Sequence, residues 1–339
     1  MVALARAIDV PVTILPLPQR SMKTLLPWWL CCRRLSRLIR TFRPAVLHAN
    51  DVPSCQAMSV VGGRLGLPRV VHVRWVIEAK AAGWWARRGA ESVLCISRWM
   101  KEQLGDVSGT SLASAQVEVL ADCVDWPAEA GEIAADARAE ASAEACDAPM
   151  PAPGAGITLG YTGQLIESKG LDLVIAAMGQ LPADKRPRLL VAGEDTQTGG
   201  RFLAHLKSLA EQGGVAERIE WLGFLKDVGA LHRRVDAMVC PSRVEPLGLV
   251  PLEAARLNVP AIASRVGGLA ETIVPGETGV LVEPTVEAWA GALASLPSRE
   301  TLRRYGAASR RRTIEHYSPM VYQRRLMAVY ERVGARSRA

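Results

Sequence analysis

Two glutamates eight positions apart, Glu245 and Glu253, are the residues of this chain best suited to bind a ligand with several hydroxyl groups. Glu245 follows the apolar run Ala237-Met-Val-Cys240, which predicts a short buried strand, and Glu253 lies about one turn into a helix predicted for residues 249–257. In a parallel α/β sheet, ligands bind in the loops at the carboxyl ends of the strands, so both carboxylates can face one ligand there. The alternative is a loop glutamate and an unrelated solvated helix glutamate, because this spacing also arises by chance.

The stretch from Gly160 to Gly170 is a second candidate for chemistry, because it follows a predicted strand and opens a helix. Glycines such as Gly163 let the backbone approach a diphosphate, and the Lys169 ammonium can neutralise that anion. The alternative for Lys169 is a solvated lysine at the start of a helix.

Together these motifs resemble the donor-site signature of the retaining family 4 glycosyltransferases of GT-B fold, the glycosyl transferases group 1. The resemblance rests on four elements in the family's order: Glu245-Pro-Leu-Gly-Leu, Glu253-Ala, Gly267-Gly-Leu-Ala-Glu271 and Pro275-Gly-Glu-Thr-Gly279. It extends over residues 157–333, with weaker similarity back to residue 46. The family usually has Phe at position 247 and Gly at position 258, where this chain has Leu and Asn. These changes remove no charged ligand.

The resemblance implies a role for each motif residue. It makes Lys169 and Glu245 the predicted catalytic residues, with Lys169 on the donor diphosphate and Glu245 on the donor sugar. Glu253 is expected to hold the ribose hydroxyls. The backbone N–H groups of Gly248 and Leu249 are expected to complete the phosphate and sugar contacts, because a helix N-terminus offers free N–H groups to an anion.

One donor-site position departs from the family. The family has a Gly-Arg…Lys-Gly motif, and this chain has Gly163 followed by Gln164 in place of the arginine. A neutral amide bonds a phosphate less strongly than a guanidinium does. We therefore expect weaker donor binding, or an additional cation such as Arg243 or Arg265 at the site.

Further candidates follow other predicted strands. Gly193 and Leu225 lie in two loops that are candidates for the nucleotide base pocket, although plain αβ turns are equally consistent with them. The acceptor-side candidates are Asn50, Asp51 and Arg74. We expect His48 and His72, which lie beside them, to be satisfied core residues rather than ligands.

The chain alternates apolar runs with helical segments twice, as expected of parallel sheets covered on both faces. The fold class predicted is α/β, with two Rossmann-like doubly wound parallel-sheet domains that face a cleft in the GT-B fold. The predicted domains are an acceptor-side domain at residues 1–126, a linker at 127–156 rich in Ala, Glu and Pro, a donor-binding domain at 157–316, and a terminal segment at 317–339 whose helix crosses back in the resembling fold.

The strands expected in the first half cover residues 11–15, 45–48, 69–73 and 92–96. The first residues do not match the family's first strand and Gly-rich loop, so we expect a truncated N-terminus.

Composition limits the class of protein. The chain has 339 residues, 49% of them hydrophobic, and its seven cysteines show no Cys-x-x-Cys spacing. We therefore predict two globular domains with no disulfide framework, no metal site and no cofactor besides the nucleotide-diphospho-sugar co-substrate. No apolar run is long enough for a membrane span and no signal peptide is evident, so we expect a cytoplasmic protein.

The net charge of +7 is concentrated between Arg20 and Arg43, where seven cations occur without an acid. Trp and Leu residues interleave with them, which indicates a basic amphipathic helix suited to an anionic membrane surface. The alternative is an ordinary helix with a solvated basic face. We expect no nucleic-acid partner, because no nucleic-acid-binding motif accompanies the charge.

The function expected is transfer of a hexosyl group from a nucleotide sugar to a glycan or lipid-linked acceptor, in the biosynthesis of a polysaccharide, a lipopolysaccharide or another cell-envelope glycan. The enzyme would be retaining and metal-independent, and peripheral at the inner face of the cytoplasmic membrane. Two alternatives remain open. One is an epimerase or hydrolase of nucleotide sugars with the same fold, and the other is a non-catalytic protein that binds a nucleotide sugar.

Overall fold

The computed structural model describes residues 10–76, 89–108, 116–124 and 156–336. These residues divide into two compact units. The first contains residues 10–76, 89–96, 100–108, 116–120 and 325–336, and the second contains 97–99, 121–124 and 156–324. The expected truncated start at residues 1–9 and all but the last residue of the predicted linker lie outside the described residues. The predicted domain boundaries stay a prediction.

The first unit contains a four-stranded parallel sheet in the order β1-β2-β3-β4. Its strands are β1 (Leu47–Ala49), β2 (Arg69–Val73), β3 (Ser92–Cys95) and β4 (Gln116–Val119). Its helices are α1 (Leu25–Phe42), α2 (Val52–Leu65) and α3 (Arg98–Ser108), whose first two residues belong to the second unit. A 3-10 helix, Met22–Thr24, precedes α1. Helix α2 begins where the Asp51 carboxylate accepts a hydrogen bond from Ser54 N at 2.7 Å. It ends at Gly66, whose φ of 65° is the left-handed conformation common after helices.

The second unit contains a six-stranded parallel sheet in the order β10-β9-β8-β5-β6-β7. Its strands are β5 (Thr158–Thr162), β6 (Arg188–Ala192), β7 (Ile219–Gly223), β8 (Ala237–Cys240), β9 (Ala261–Ser264) and β10 (Gly279–Val282). Its helices are α4 (Leu171–Gly179), α5 (Arg201–Gln212), α6 (Gly229–His232), α7 (Leu249–Ala255), α8 (Leu269–Thr272), α9 (Val286–Ala294) and α10 (Arg299–Tyr317), and α11 (Pro319–Arg336) contributes residues to both units. The strand order reverses direction at β5, next to β8. Such a reversal is where open parallel sheets bind ligands.

Alternation along the strands of the second unit builds a core on each face of the sheet. Leu189 and Val191 belong to one buried cluster, while Leu190 and Ala192 belong to the other. In β8, Val239 belongs to the same cluster as Leu189, whereas Met238 and Cys240 belong to the same cluster as Leu190. Because both faces are covered, a central strand such as β8 is a continuous apolar run, which is why it was recognisable in the sequence.

Two expectations for the first unit differ from the structure. Residues 11–15 were expected to be a strand, but they form no helix or strand. Pro11 and Pro16 bound this stretch and donate no backbone hydrogen bonds, which disfavours a sheet ladder. Conversely, β4 was not predicted, because its only charged residue, Glu118, interrupts a short apolar pattern. Within the described part of the chain, no helix is both long enough and apolar enough to cross a membrane.

Candidate functional site

Lys169, Glu245 and Ser242 form a polar cluster at the carboxyl ends of β5 and β8. Lys169 Nζ donates to Glu245 Oε2 at 2.7 Å, and Ser242 Oγ donates to the same oxygen at 3.1 Å. The side chains of Lys169 and Glu245 are 32% and 17% exposed, so the pair is within reach of solvent. The structure therefore brings together the two predicted catalytic residues, which are 76 positions apart in the sequence.

The turn that carries Lys169 packs directly on the loop that carries Glu245. Lys169 ends a 3-10 helix, Glu167–Lys169, and Gly170 follows with a φ of 69°. A Cβ atom at Gly170 would lie 2.0 Å from Pro241 O, so only glycine permits this approach. Arg243 N also donates to Ser168 O at 2.8 Å. The glycine of the Lys-Gly motif is thus explained by packing between the two loops.

The Gly267-Gly268 pair packs on the other side of the Glu245 loop. Gly268 N donates to Glu245 O at 2.9 Å. A Cβ atom at Gly268 would lie 2.4 Å from Leu247 Cα. Leu247, which stands where the family usually has Phe, is buried at 3% exposure. The loop between β8 and α7 is therefore fixed by backbone contacts with both neighbouring loops.

The other donor-site candidates on this loop and helix lie as follows. Gly248 has a φ of 92° and precedes α7, Leu249 is 39% exposed at the first position of α7, and Glu253 lies farther along the same helix. Burial raises the pKa of the Glu253 carboxyl, while the charge of Arg256 acts in the opposite direction. A half-buried carboxylate of this kind is suited to accept hydrogen bonds from hydroxyl groups.

The remaining donor-site candidates lie in the adjoining loops. Gln164 is exposed, and Gly163 N donates to Ala192 O at 3.1 Å. Gly193 N donates to Gly223 O at 2.9 Å, so the loops after β5, β6 and β7 are in contact. Leu225 packs against one of the two buried clusters, which favours a core role for its side chain.

Both arginines proposed as additional cations are paired with carboxylates in the structure. Arg243 binds Asp172 through two hydrogen bonds of 2.8 and 2.6 Å. Arg265 Nε lies 3.1 Å from Glu283 Oε1. The expectation that one of them takes the place of the missing arginine at position 164 stays a prediction. Both pairs result from neighbouring loops that the sequence alone did not place together.

The acceptor-side candidates lie in the first unit. Asn50 is exposed, and Asp51 caps α2, a structural role that explains this residue without a ligand. Arg74 Nη2 lies 3.4 Å from His72 Nδ1. The structure brings neither Asn50 nor Asp51 into contact with Arg74 among the hydrogen bonds described.

Two histidines form a cluster under Arg74 that the sequence did not reveal in full. His48 Nδ1 lies 2.5 Å from Tyr330 Oη, and the rings of His48 and His72 are 5.8 Å apart. His72 Nε2 lies 3.0 Å from Leu120 O. Burial first, and the charge of Arg74 second, lower the pKa of His48 to about 4 and that of His72 to about 3. Both imidazoles are therefore neutral at pH 7, as expected of core histidines.

Among the described residues, no group of three or more His, Cys, Asp or Glu side chains could hold a metal ion. The cysteines in this part of the chain are free thiols. Metal independence and the absence of a cofactor remain predictions.

Residues 147–312 match the family model of glycosyl transferases group 1. A glycogen synthase of Mycobacterium tuberculosis (strain H37Rv) is 28% identical over 265 residues, which cover 72% of this chain and 58% of that protein. The lipopolysaccharide core biosynthesis mannosyltransferase LpcC of Rhizobium leguminosarum bv. viciae is 38% identical over 125 residues, 37% of this chain and 36% of that one. The chain thus spans less than two thirds of the length of these relatives.

Solved structures resemble the whole fold. The crystal structure of Anabaena HepE in complex with UDP has a TM-score of 0.77 at 16% identity, covering 97% of this chain and 88% of that one. Sucrose-phosphate synthase from Thermosynechococcus elongatus has a TM-score of 0.72 at 21% identity, covering 96% and 83%. Residues 147–312 thus resemble the glycosyl transferases group 1, and the chain that contains them has two parallel-sheet units and the fold of these GT-B structures.

Proposed function

We propose that this protein is a retaining glycosyltransferase that moves a hexosyl group from a nucleotide-diphospho-sugar to a hydroxyl group of a glycan or lipid-linked acceptor, without a metal ion. The observation that carries the proposal is the Lys169–Glu245 pair, held at 2.7 Å at the ends of two adjacent strands. The names of the relatives support sugar transfer. The HepE structures with UDP and with UDP-glucose support a nucleotide-sugar donor.

The proposed chemistry needs charges of both signs in one place. When the bond between the anomeric carbon and the diphosphate oxygen breaks, positive charge develops on the sugar ring and negative charge on the diphosphate. Lys169 supplies a cation for the diphosphate, and Glu245 supplies a carboxylate for the sugar. The acceptor hydroxyl attacks the anomeric carbon from the face that the diphosphate leaves, and its proton passes to the departing phosphate. Glu253 binds the ribose hydroxyls.

The missing cation at position 164 has a consequence for affinity. Gln164 adds no charge, and Arg243 and Arg265 are paired with carboxylates. Lys169 makes a single contact with Glu245, whereas Arg243 is held by two hydrogen bonds to Asp172, so we propose Lys169 as the principal cation of the diphosphate site. One charge-assisted hydrogen bond in place of two weakens binding by about 1.5–3 kcal/mol, so we propose that donor affinity is modest.

A transfer assay tests this function against its two alternatives. Purified protein is incubated with UDP-, GDP- and ADP-glucose, with and without oligosaccharide and lipid-linked acceptors, and the nucleoside diphosphate and sugar products are measured. Nucleoside diphosphate release that requires an acceptor supports a transferase. Release without an acceptor indicates a hydrolase, an isomerised nucleotide sugar indicates an epimerase, and binding without turnover indicates a non-catalytic protein.

Matched variants test the residues. Lys169→Ala and Glu245→Ala should abolish transfer, whereas Lys207→Ala should not, because Lys207 is an exposed lysine on α5. Transfer at the wild-type rate in Lys169→Ala and Glu245→Ala would overturn the site assignment.

We propose further that the enzyme acts at the cytoplasmic face of a membrane, through helix α1. The first two turns of α1 expose Leu26, Trp29 and Leu30 at 67%, 44% and 49%. Arg33, Arg34, Arg37 and Arg40 are exposed in the turns that follow, and the Arg33 guanidinium lies 4.8 Å from the centre of the Trp29 ring. The buried face of α1, which includes Trp28 and Ile39, belongs to the core.

An apolar groove lies beside the same surface. It has a volume of about 550 Å³, and its lining includes Pro16, Leu17, Pro18, Leu30 and Arg34. Exposed apolar side chains beside exposed arginines fit an anionic bilayer better than a nucleic acid, which offers charge but few apolar contacts. This reasoning favours a lipid-linked acceptor.

Vesicle binding tests the membrane proposal. The triple variant Arg33→Gln, Arg37→Gln and Arg40→Gln should bind phosphatidylglycerol vesicles on the order of 100-fold more weakly, since each cation near the surface contributes about 1 kcal/mol. The control is Arg303→Gln, Arg304→Gln and Arg311→Gln, which removes the same charge from exposed positions of α10. Equal loss in both triple variants, or equal binding of wild type to phosphatidylcholine vesicles, would contradict the proposal.

A further inference from the structure

We propose that Arg243 and Asp172 form a clamp that positions Lys169 and Glu245 for the donor, and that Arg243 does not itself bind the diphosphate. The inference rests on the proposed function and names two positioning residues for it. Asp172 lies in the first turn of α4, three positions after Lys169. Arg243 lies between Ser242 and Glu245 in the loop after β8.

Three hydrogen bonds join the guanidinium of Arg243 to the Lys169 turn. Its Nη1 donates to Asp172 Oδ1 at 2.8 Å and to Glu167 O at 2.6 Å, and its Nη2 donates to Asp172 Oδ2 at 2.6 Å. Hydrogen bonding to Asp172 raises the pKa of Arg243. Two parallel bonds from one guanidinium to one carboxylate are strong and fix orientation as well as distance. Asp172 therefore neutralises the positive charge of Arg243, which would otherwise attract a phosphate.

The clamp acts where small displacements matter. On one side, it holds the residue next to Ser242 and two positions from Glu245. On the other side, Asp172 and Glu167 O flank Lys169. The backbone bond from Arg243 N to Ser168 O, at 2.8 Å, adds a second connection beside the side-chain pair. Arg243 thereby joins its loop to residues before and after Lys169 in the facing turn.

We expect the clamp to act by holding Lys169 and Glu245 in position rather than by contacting the nucleotide. Without it, the side chains of Lys169 and Glu245 remain present but their loops are free to separate. A displacement of about 1 Å in a positioned group can cost up to about 100-fold in rate, and smaller changes cost less. We expect a loss of about tenfold in nucleotide affinity when the clamp is opened.

The variant Asp172→Asn separates the clamp from the alternative, because the two accounts predict opposite signs. If Asp172 holds Arg243 in the clamp, the change loosens both loops and weakens nucleotide binding. If Arg243 instead binds the diphosphate, the change releases its charge and binding becomes equal or tighter. Arg243→Lys is the second variant: it keeps the charge but loses the paired hydrogen bonds, so the clamp account predicts weaker binding here too.

A matched control is available in the same unit. Arg299 binds Asp236 through two hydrogen bonds, of 2.9 and 3.4 Å, and donates to Gly156 O at 3.0 Å. This contact set has the same form as that of Arg243, but it involves none of the donor-site candidates. Arg299→Lys should therefore lower the melting temperature without changing nucleotide affinity.

The experiment measures the Kd of UDP, GDP and ADP by calorimetry for the wild type, Asp172→Asn, Arg243→Lys and Arg299→Lys, with circular dichroism to show that each is folded. In parallel, the acetylation rate of Lys169 is measured by mass spectrometry relative to that of Lys185, an exposed lysine in the same unit. The expected result is about tenfold weaker binding and faster acetylation of Lys169 in the first two variants only.

Two results would overturn the clamp: unchanged or tighter nucleotide binding by Asp172→Asn, or an unchanged acetylation rate of Lys169 in both clamp variants. If the wild type binds none of the three nucleotides, the proposed function fails. The acetylation rate then decides the clamp by itself, because it needs no nucleotide.

Discussion

The substitution Glu245→Gln should strengthen the binding of a nucleoside diphosphate while it lowers sugar transfer. Glu245 Oε2 accepts the ammonium of Lys169 at 2.7 Å, so a diphosphate must compete with this carboxylate for the cation. Glutamine keeps the shape of the side chain and one hydrogen-bond acceptor but removes the charge. Lys169 is then free to bind phosphate at lower cost.

The magnitude follows from the exposure of the pair. At an effective dielectric constant of about 20, two unit charges at this separation attract by roughly 6 kcal/mol, but desolvation and loss of side-chain freedom offset most of that energy. Measured ion pairs at protein surfaces contribute about 0.2–1 kcal/mol. Lys169 is 32% exposed, so we take about 1 kcal/mol, which corresponds to roughly fivefold tighter binding in Glu245→Gln.

Calorimetry with the tightest-binding nucleoside diphosphate measures this difference, and a transfer assay measures the opposing loss, which we expect to be about 100-fold. The control is Glu283→Gln, which removes a carboxylate from its contact with Arg265. The affinity gain should also shrink at high salt, because salt screens the Lys169–Glu245 attraction. Nucleotide binding that is unchanged or weaker in Glu245→Gln at low salt would refute the reasoning that the carboxylate competes for Lys169.

Two further predictions concern stability. The pKa values of about 4 for His48 and about 3 for His72 lie below the ordinary 6.5, so the folded protein binds fewer protons than the unfolded chain. Stability is therefore full above pH 6.5 and falls as the pH drops toward these values, by about 1.4 kcal/mol for each histidine at pH 5.5. Urea unfolding at pH 8 and 5.5 checks this, and His48→Gln should flatten the pH dependence whereas His205→Gln should not. Gly170→Ala should lower the free energy of unfolding by more than about 2 kcal/mol, because the added Cβ would lie 2.0 Å from Pro241 O at a φ of 69°. The control is Gly291→Ala, in open space on α9, which should be neutral or stabilising. Thermal unfolding measures both.

The second unit was the more predictable part of the fold. Strand β8 is the short apolar run that follows Asp236, and its observed bounds, Ala237–Cys240, agree with those expected from the sequence. The stretch at 11–15 has the same apolar character, yet its flanking prolines keep it out of the sheet. Apolar content alone therefore could not decide the first unit.

The candidate site was predictable at the level of loops but not of contacts. The rule that ligands bind at the carboxyl ends of parallel strands placed Lys169 and Glu245 at one edge of the sheet. Their ion pair, and the Arg243–Asp172 pair beside it, depend on a loop approach that requires Gly170. The contact between His48 and Tyr330 joins residues 282 positions apart, and no local pattern indicates it.

Asn258 shows how structure explains a departure from the family. It stands where the family usually has glycine, and its φ of 56° lies in the left-handed region. Asparagine adopts this conformation more readily than most residues with a side chain. The change from glycine therefore preserves the turn that follows α7.

The measurement that tests the central claim most directly is the binding of UDP, GDP and ADP to the wild type and to Lys169→Ala, measured by calorimetry or thermal shift. The donor-site account predicts that at least one nucleotide binds the wild type and that the variant binds it at least about tenfold more weakly, since a charge-assisted hydrogen bond is lost. Equal binding by the two proteins, or no binding of any nucleotide to the wild type, would contradict it.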